Sequence, residues 1–275
     1  MNEKAVQYID GFKLEMKKTF DFSFLKNYGK VFKLYQQQTG CFCFGISNGQ
    51  KKYFIKFAGA QPINSPGPVS DDIARLKIST IKYKEMAHPL LINLVESKEI
   101  DSGYMNVYDW EDGESFGDQN PHLNEKFNAL PTNEKLHIFN EVLRFHEYAS
   151  ECGYIAIDFN DNSTLYNFET GKVTVCDIDF YAKYSYIIGL GASLGDPHFM
   201  ATEEFRIGGV SNDATNVFRM GAAAFVMLAG GNRSPEAWSF GSDSYAVAKK
   251  AVSDEREDRQ QSVKRLREEW NAAVK

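Results

Sequence analysis

The sequence predicts an α+β chain of two lobes, an N-terminal antiparallel sheet carrying one main helix and a mostly helical C-terminal part. Two observations predict it. Residues 29 to 58 alternate short aromatic and β-branched runs with turn residues, which is the signature of short strands joined by turns. After Gly113 the pattern changes to a long amphipathic stretch over 133–151, which carries the helical period, and to further helices over 212–229 and 254–273. The expected organisation is one domain over 1–275, with an N-lobe over about 20–110 and a C-lobe over about 114–275.

In chain order, KVFKLY, CFCFGIS and KKYFIKFA read as a three-stranded meander, with a turn at Asn48-Gly49 between the second and third strands. The Pro/Gly/Ser-rich stretch from Pro62 to Ser70 is a loop. Over Asp71 to Ala87, the positions Ile73, Leu76, Thr80, Ile81 and Lys84 recur at helical spacing, started by Ser70-Asp71-Asp72 and stopped before His88-Pro89. LLINLVES and GYMNVYDW read as two more strands. Beyond Gly113, the helix from Asn133 to Glu151 places Leu136, Phe139, Val142, Leu143, His146 and Ala149 on one side. The polar loop DFNDNS follows between YIAI and TLY, then the short strand KVTVCDIDF and the later helices Asn212 to Ala229 and Asp254 to Ala273.

Composition narrows the function classes. The 275 residues are 43% hydrophobic and 25% charged, enough for a sizeable core and unlike a disordered or collagenous chain. A net charge of −6 supplies no basic field for nucleic acid or an anionic membrane. Cys41, Cys43, Cys152 and Cys176 lack zinc spacing and read as reduced core residues, the first two on one face of a strand. The N-terminus has no apolar signal core, and the run Val217 to Ala229, interrupted by Arg219, is too short to span a bilayer. A cytoplasmic protein is expected.

Three residues carry chemistry. Lys56 stands in the apolar strand YFIKFA, where a lysine either snorkels its amine to water or holds an anion. Asp158 follows YIAI after the long helix, and Asp177 ends VTVC; aspartates at such places serve as turn residues or as functional carboxylates. Together, a strand lysine, a carboxylate after a helix and a second carboxylate shortly downstream are the parts phosphoryl transfer needs. The histidines His137 and His146 are read as core or surface residues rather than ligands, since that chemistry needs no histidine.

The order of these parts resembles a divergent eukaryotic-type serine/threonine protein kinase of the bacterial kind, over essentially the whole chain. Tyr53-Phe54-Ile55-Lys56 is similar to the family's V-A-I-K, and His88-Pro89-Leu90-Leu91-Ile92 to its H-P-N-I-V. Val107-Tyr108-Asp109-Trp110 resembles the hinge that contacts adenine, with Glu114 near the ribose position. The resemblance implies a two-lobed protein-kinase-like fold, ATP and Mg²⁺ as cofactors, Lys56 on the α/β-phosphates, Asp158 as the catalytic-loop aspartate and Asp177 as the metal-binding aspartate of D-F-G. It also implies that Met200-Ala201-Thr202-Glu203-Glu204 takes the place of A-P-E, with its glutamate paired to Arg259.

The departures bear on activity. The turn Gln36-Gln37-Gln38-Thr39-Gly40, with Gly45 further on, stands where G-x-G-x-x-G is expected, so only Gly40 is placed to approach phosphate. H-R-D is Ala156-Ile157-Asp158. Ser163 stands where the family places its second metal ligand, with Asn162 one position early, and Ser79 stands where the helix glutamate falls, with Asp72 and Glu85 off that register. D-F-G is Asp177-Ile178-Asp179, which resembles small-molecule phosphotransferases of the aminoglycoside-kinase type, where a second acid, here Asp179, approaches the metal. Tyr184, Ser185, Tyr186 and Ser193 lie on the Gly-rich segment after Asp177 as candidate phosphorylation sites. Three functions follow: a protein kinase acting on Ser/Thr, a kinase of a small hydroxylated molecule, or a pseudokinase that binds nucleotide as a scaffold.

Overall fold

The computed structural model describes residues 4–35, 40–116, 121–189 and 195–274, and the chain divides between Glu111 and Asp112 into two units. The architecture is α+β, with antiparallel sheet in the N-terminal unit and most of the helix in the C-terminal one. Among the described residues, no helix is long and apolar enough to cross a membrane.

The N-terminal unit opens with a hairpin that the sequence reading missed, β1 (Ala5–Ile9) and β2 (Phe12–Met16). Its turn is Asp10-Gly11, with φ of +48° and +91°, a D-G hairpin signal that was available in the sequence. The Asp10 carboxylate accepts from the Val31 amide at 2.8 Å, which ties the hairpin to the main sheet. That sheet has five strands in the order β3 (Lys30–Tyr35), β4 (Cys41–Ser47), β5 (Lys52–Ala58), β7 (Gly103–Asp109), β6 (Leu94–Ile100), all antiparallel. The three-stranded meander is present. Its Asn48-Gly49 turn is a longer loop over 48–51, held by the Asn48 side chain accepting from the amides of Gln50 and Lys51. The second strand pair is displaced from LLINLVES, because Leu90, Leu91 and Ile92 are buried in the loop before β6.

Helix α1 (Val69–Glu85) starts after Pro68, before the expected Ser70. Its buried side is Asp72, Leu76, Ser79, Thr80 and Tyr83, whereas Ile81 is 54% exposed and Lys84 is exposed. Of the positions expected on one face, Leu76 and Thr80 are buried and Ile73 packs half-buried beside Leu76, whereas Ile81 and Lys84 face outward; Asp72, Ser79 and Tyr83 complete the buried side, which is largely polar.

In the C-terminal unit, β8 (Glu114–Ser115) is followed by α2 (Pro121–Asn128), which the sequence reading did not identify, and α3 (Thr132–Glu151). Phe139, Val142, Leu143, His146 and Ala149 are buried on α3 as expected, while Leu136 is only half-buried. Short strands follow: β9 (Tyr154–Ile155), β10 (Thr164–Tyr166), β11 (Val173–Val175), β12 (Ala182–Lys183), β13 (Tyr186–Ile187) and β14 (Val210–Ser211). They pair as β11-β10-β8, β12-β9 and β13-β14. Helix α4 (Asp213–Ala229) is capped by the Asn212 side chain, which accepts from the Ala214 amide at 3.0 Å, and is buried along most of its length. Helices α5 (Ser242–Ala251) and α6 (Val263–Ala273) complete the unit. The single helix expected over Asp254 to Ala273 is broken, because Arg259 adopts an extended conformation (φ −73°, ψ 164°) before Ser262 caps α6.

Candidate functional site

Alternation along β5 decides where Lys56 points. Ile55 and Phe57 join Phe42, Phe44 and Ile46 of β4 in an apolar core on one face of the sheet. Lys56 therefore lies on the opposite face, between Cys43 and Asn106 of the neighbouring strands. That face is covered by α1: Thr80 Oγ1 donates to Asn106 Oδ1 at 2.8 Å, and Leu76 packs on Cys41 and Ala58. Lys56 is half-buried there. Of the α1 positions considered in the sequence, Ser79 is buried and Asp72 is engaged by Arg75 at 2.7 Å and by the Ser65 hydroxyl at 3.3 Å.

Gly40, expected to approach phosphate, and Gly45 further on both have packing reasons. Gly40 has φ +80°, and an added Cβ would overlap the Asp72 carboxylate. A Cβ at Gly45 would come within 2.8 Å of the Trp110 ring and 3.0 Å of Phe32. Gln36, Gln37, Gln38 and Thr39 lie outside the described residues. The hinge-like stretch is also used within its own unit, since the Asp109 amide donates to Asn93 O at 3.0 Å and the Trp110 amide to Lys52 O at 3.4 Å. The Tyr108 ring is buried against Phe54 and Tyr83, and the Asp109 carboxylate takes Lys51 at 2.8 Å. Glu114 belongs to the C-terminal unit, exposed on β8 opposite Tyr166.

The C-terminal unit brings Asp158 and Asp177 into one neighbourhood. Both sit in the left-handed region, with φ of +66° and +55°, where a non-glycine residue is costly. Asp158 is flanked by buried Ile157 and Phe159, and the Phe159 amide closes a turn onto Ala156 O at 3.1 Å. Gly195 (φ +131°) approaches it so closely that an added Cβ would lie 3.2 Å from the Asp158 Cα. Asp177 is exposed between half-buried Cys176 and buried Ile178. The Cys176 amide donates to Ser163 O at 2.8 Å, which joins the single turn 161–163, carrying exposed Asn162, to the residue before Asp177. Asp179 is buried.

Tyr181 reports on both carboxylates. Burial pushes its hydroxyl well above the usual tyrosine value; Arg219 opposes the shift, and Cys176, Asp177 and Asp158 add to it. The Tyr181 hydroxyl lies 2.7 Å from His146 Nε2.

Polar residues that the sequence reading passed over hold the start of the Asp158 loop. Asn216 of α4 accepts from the Ala156 amide at 2.9 Å and donates to Tyr154 O at 2.9 Å and to Ser150 Oγ at 3.2 Å. Ser150 also reaches Asp213 and the Tyr184 hydroxyl. The available signal was polar residues on otherwise apolar helix faces, which alone names no partner. Burial, with Asp213 adding and Ser150 opposing, pushes the Tyr184 hydroxyl up to about 12. Of the hydroxyls considered for phosphorylation, Tyr184 is engaged by Ser150, Tyr186 is exposed, and Ser193 lies outside the described residues.

The pairing expected for the A-P-E-like segment is present. Glu203 receives Arg259 through Nη1 at 2.9 Å and Nη2 at 3.0 Å, a bidentate bridge across 56 positions. Burial would raise the Glu203 carboxyl, but Arg259, a backbone hydrogen bond and Thr215 outweigh it and hold it at about 2. Next to it, Glu204 and Arg219 form a fully buried pair.

Among the described residues, no group of three or more His, Cys, Asp or Glu side chains is gathered to hold a metal ion. Mg²⁺ commonly takes only one or two carboxylates and completes its shell with phosphates and water. The exposed Asp177 carboxylate fits that pattern, and Asn162 lies on the turn that the Cys176 amide holds. No protein-family model matches the chain, and no curated protein matches it.

Proposed function

We propose that the protein is an ATP- and Mg²⁺-dependent phosphotransferase of the divergent serine/threonine protein kinase type, with the two-lobed fold of that family. The observation that carries this reading is the left-handed backbone at Asp158 and Asp177. Strain of this kind persists where the surrounding structure over-determines it, and it clusters at functional sites. Both residues are the carboxylates that the order of motifs selects.

In this reading Lys56 neutralises the α- and β-phosphates, and Asp158 orients the incoming hydroxyl and accepts its proton. The bond between the γ-phosphorus and the ADP oxygen breaks as the bond from the substrate oxygen forms. Asp177 and Asn162 hold Mg²⁺, which supplies charge neutralisation on the phosphates when bound. A protein substrate is favoured over a small molecule by the Glu203–Arg259 bridge, which ties the A-P-E-like segment to the region before α6. Nucleotide binding without transfer is the second reading, favoured by Gly40, whose open face is taken by Asp72. Asp177→Ala is expected to abolish Mg²⁺-dependent ATP turnover while thermal unfolding stays near that of the parent. Equal turnover in the variant refutes the assignment, and Mg²⁺-dependent binding with no transfer by the parent to itself, to generic protein substrates or to small hydroxylated acceptors selects the second reading.

A further inference from the structure

One buried imidazole touches both strained loops. His146 Nδ1 lies 2.7 Å from the carbonyl of Val142, four residues earlier on α3. A carbonyl only accepts, so Nδ1 carries the hydrogen, and Nε2 is left as an acceptor for the Tyr181 hydroxyl at 2.7 Å. The same ring packs edge-on against Phe159, with centroids 4.3 Å apart. Phe159 is the residue after Asp158, and Tyr181 closes a turn onto Ile178 O at 3.1 Å, directly after Asp177. All three side chains are buried.

We infer that His146 is a positioning residue shared by Asp158 and Asp177: its neutral ring fixes the Phe159 side of one loop by packing and the Tyr181 side of the other by a hydrogen bond. The inference rests on the reading of those aspartates as phosphoryl-transfer groups. The surroundings favour the neutral form. Burial lowers the imidazole to about 4, with the Val142 bond opposing and the Arg219 charge adding to the effect. Arg219 is itself paired with buried Glu204. A protonated ring would put a hydrogen on Nε2 and turn the Tyr181 contact from acceptor to donor.

The test compares Tyr181→Phe, His146→Phe and His146→Gln with the parent in the full chain, using ADP as probe with and without Mg²⁺. Tyr181→Phe and His146→Phe are expected to reduce the Mg²⁺-dependent gain in ADP affinity about ten-fold, the scale of one lost hydrogen bond. Metal-free ADP binding is expected to stay within about two-fold, because the hydrogen bond removed does not involve Lys56. His146→Gln, which keeps an acceptor near the Nε2 position, is expected to recover part of the gain. A general loss of stability would weaken both binding modes together and show no rescue. Amide hydrogen exchange over 176–183 supplies a readout independent of nucleotide and is expected to quicken in Tyr181→Phe. An unchanged Mg²⁺ gain, or unchanged exchange over that segment, overturns the inference. If the parent shows no Mg²⁺-dependent ADP binding, the proposed function fails, and the exchange result alone decides whether His146 positions the loops.

Discussion

Replacing Arg259 by Met removes the guanidinium but keeps much of the stem that packs on Phe218, whose ring centre lies 4.9 Å from the guanidinium carbon. The side chain is 0% exposed and its carboxylate partner 13%, so the variant leaves Glu203 charged in a largely dry site. Breaking a buried pair by deleting one member costs about 3–5 kcal/mol. Glu203 retains the Thr215 hydroxyl at 2.8 Å and Arg256 at 3.2 Å, which puts the expected loss at the lower end, about 3 kcal/mol. In the C-terminal unit that corresponds to a fall in Tm of roughly 6–12 °C. Glu203→Gln and the double variant complete a cycle read by thermal and urea unfolding, in which a coupling of at least about 1 kcal/mol is expected. A single-variant cost under about 1 kcal/mol, with the double variant additive, would show the bridge to be incidental and refute the reasoning.

Three further outcomes follow from the same structure. Gly40→Ala is expected to destabilise the N-terminal unit by at least about 2 kcal/mol in urea unfolding, because φ is +80° and the new Cβ displaces the Asp72 carboxylate from Arg75; a neutral effect would show that Asp72 moves aside freely. Buried His146 titrates near 4 when folded against 6.5 unfolded, so the unfolded chain takes the proton first and stability falls as pH drops from 6.5 through 4, by about 3 kcal/mol in all; His146→Phe should remove that slope, and an unaltered slope would place it elsewhere. Asp177→Gly is expected to be at least as stable as the parent and about 1 kcal/mol more stable than Asp177→Ala in urea unfolding, since only glycine takes φ +55° without cost; equal stability of the two variants would mean the backbone there is unstrained.

The strand meander was legible because short aromatic and β-branched runs are separated by turn residues, and the helix over 133–151 because most of its apolar positions recur on one buried face. The buried side of α1 was legible only in part: Leu76 and Thr80 are buried as their spacing suggested, but Asp72 and Ser79 are buried with them while Ile81 faces outward. Hydrophobicity has no sign for a polar interface that is satisfied by Asn106. The pairing of Arg259 with Glu203 was expected, but the extended backbone that accompanies it was not: the same guanidinium also donates to the carbonyls of Ser253, Asp254 and Ala214, contacts that helical periodicity does not register. For the site, motif order alone selected Asp158 and Asp177. The residues that support them, His146, Ser150, Tyr181 and Asn216, act through contacts between helices, and no local spacing announces those.

The left-handed aspartates separate into two kinds. Asp10 and Asp101 lie in hairpin turns, where the turn itself asks for positive φ, and the Asp10 carboxylate has a structural task on the Val31 amide. Asp158 and Asp177 lie outside hairpins, each beside a buried apolar residue, Phe159 or Ile178, whose burial contributes about 2–3 kcal/mol. That exceeds the cost of about 1–2 kcal/mol for one left-handed residue, so the core can hold each loop in its strained form. At twelve described positions of positive φ this chain uses glycine and avoids the cost. A loop that served only to connect its neighbours would be more stable with glycine at 158 and 177 as well. Carboxylates there make sense if the side chains are needed in that orientation, as a group that accepts a proton and a group that holds a metal both are.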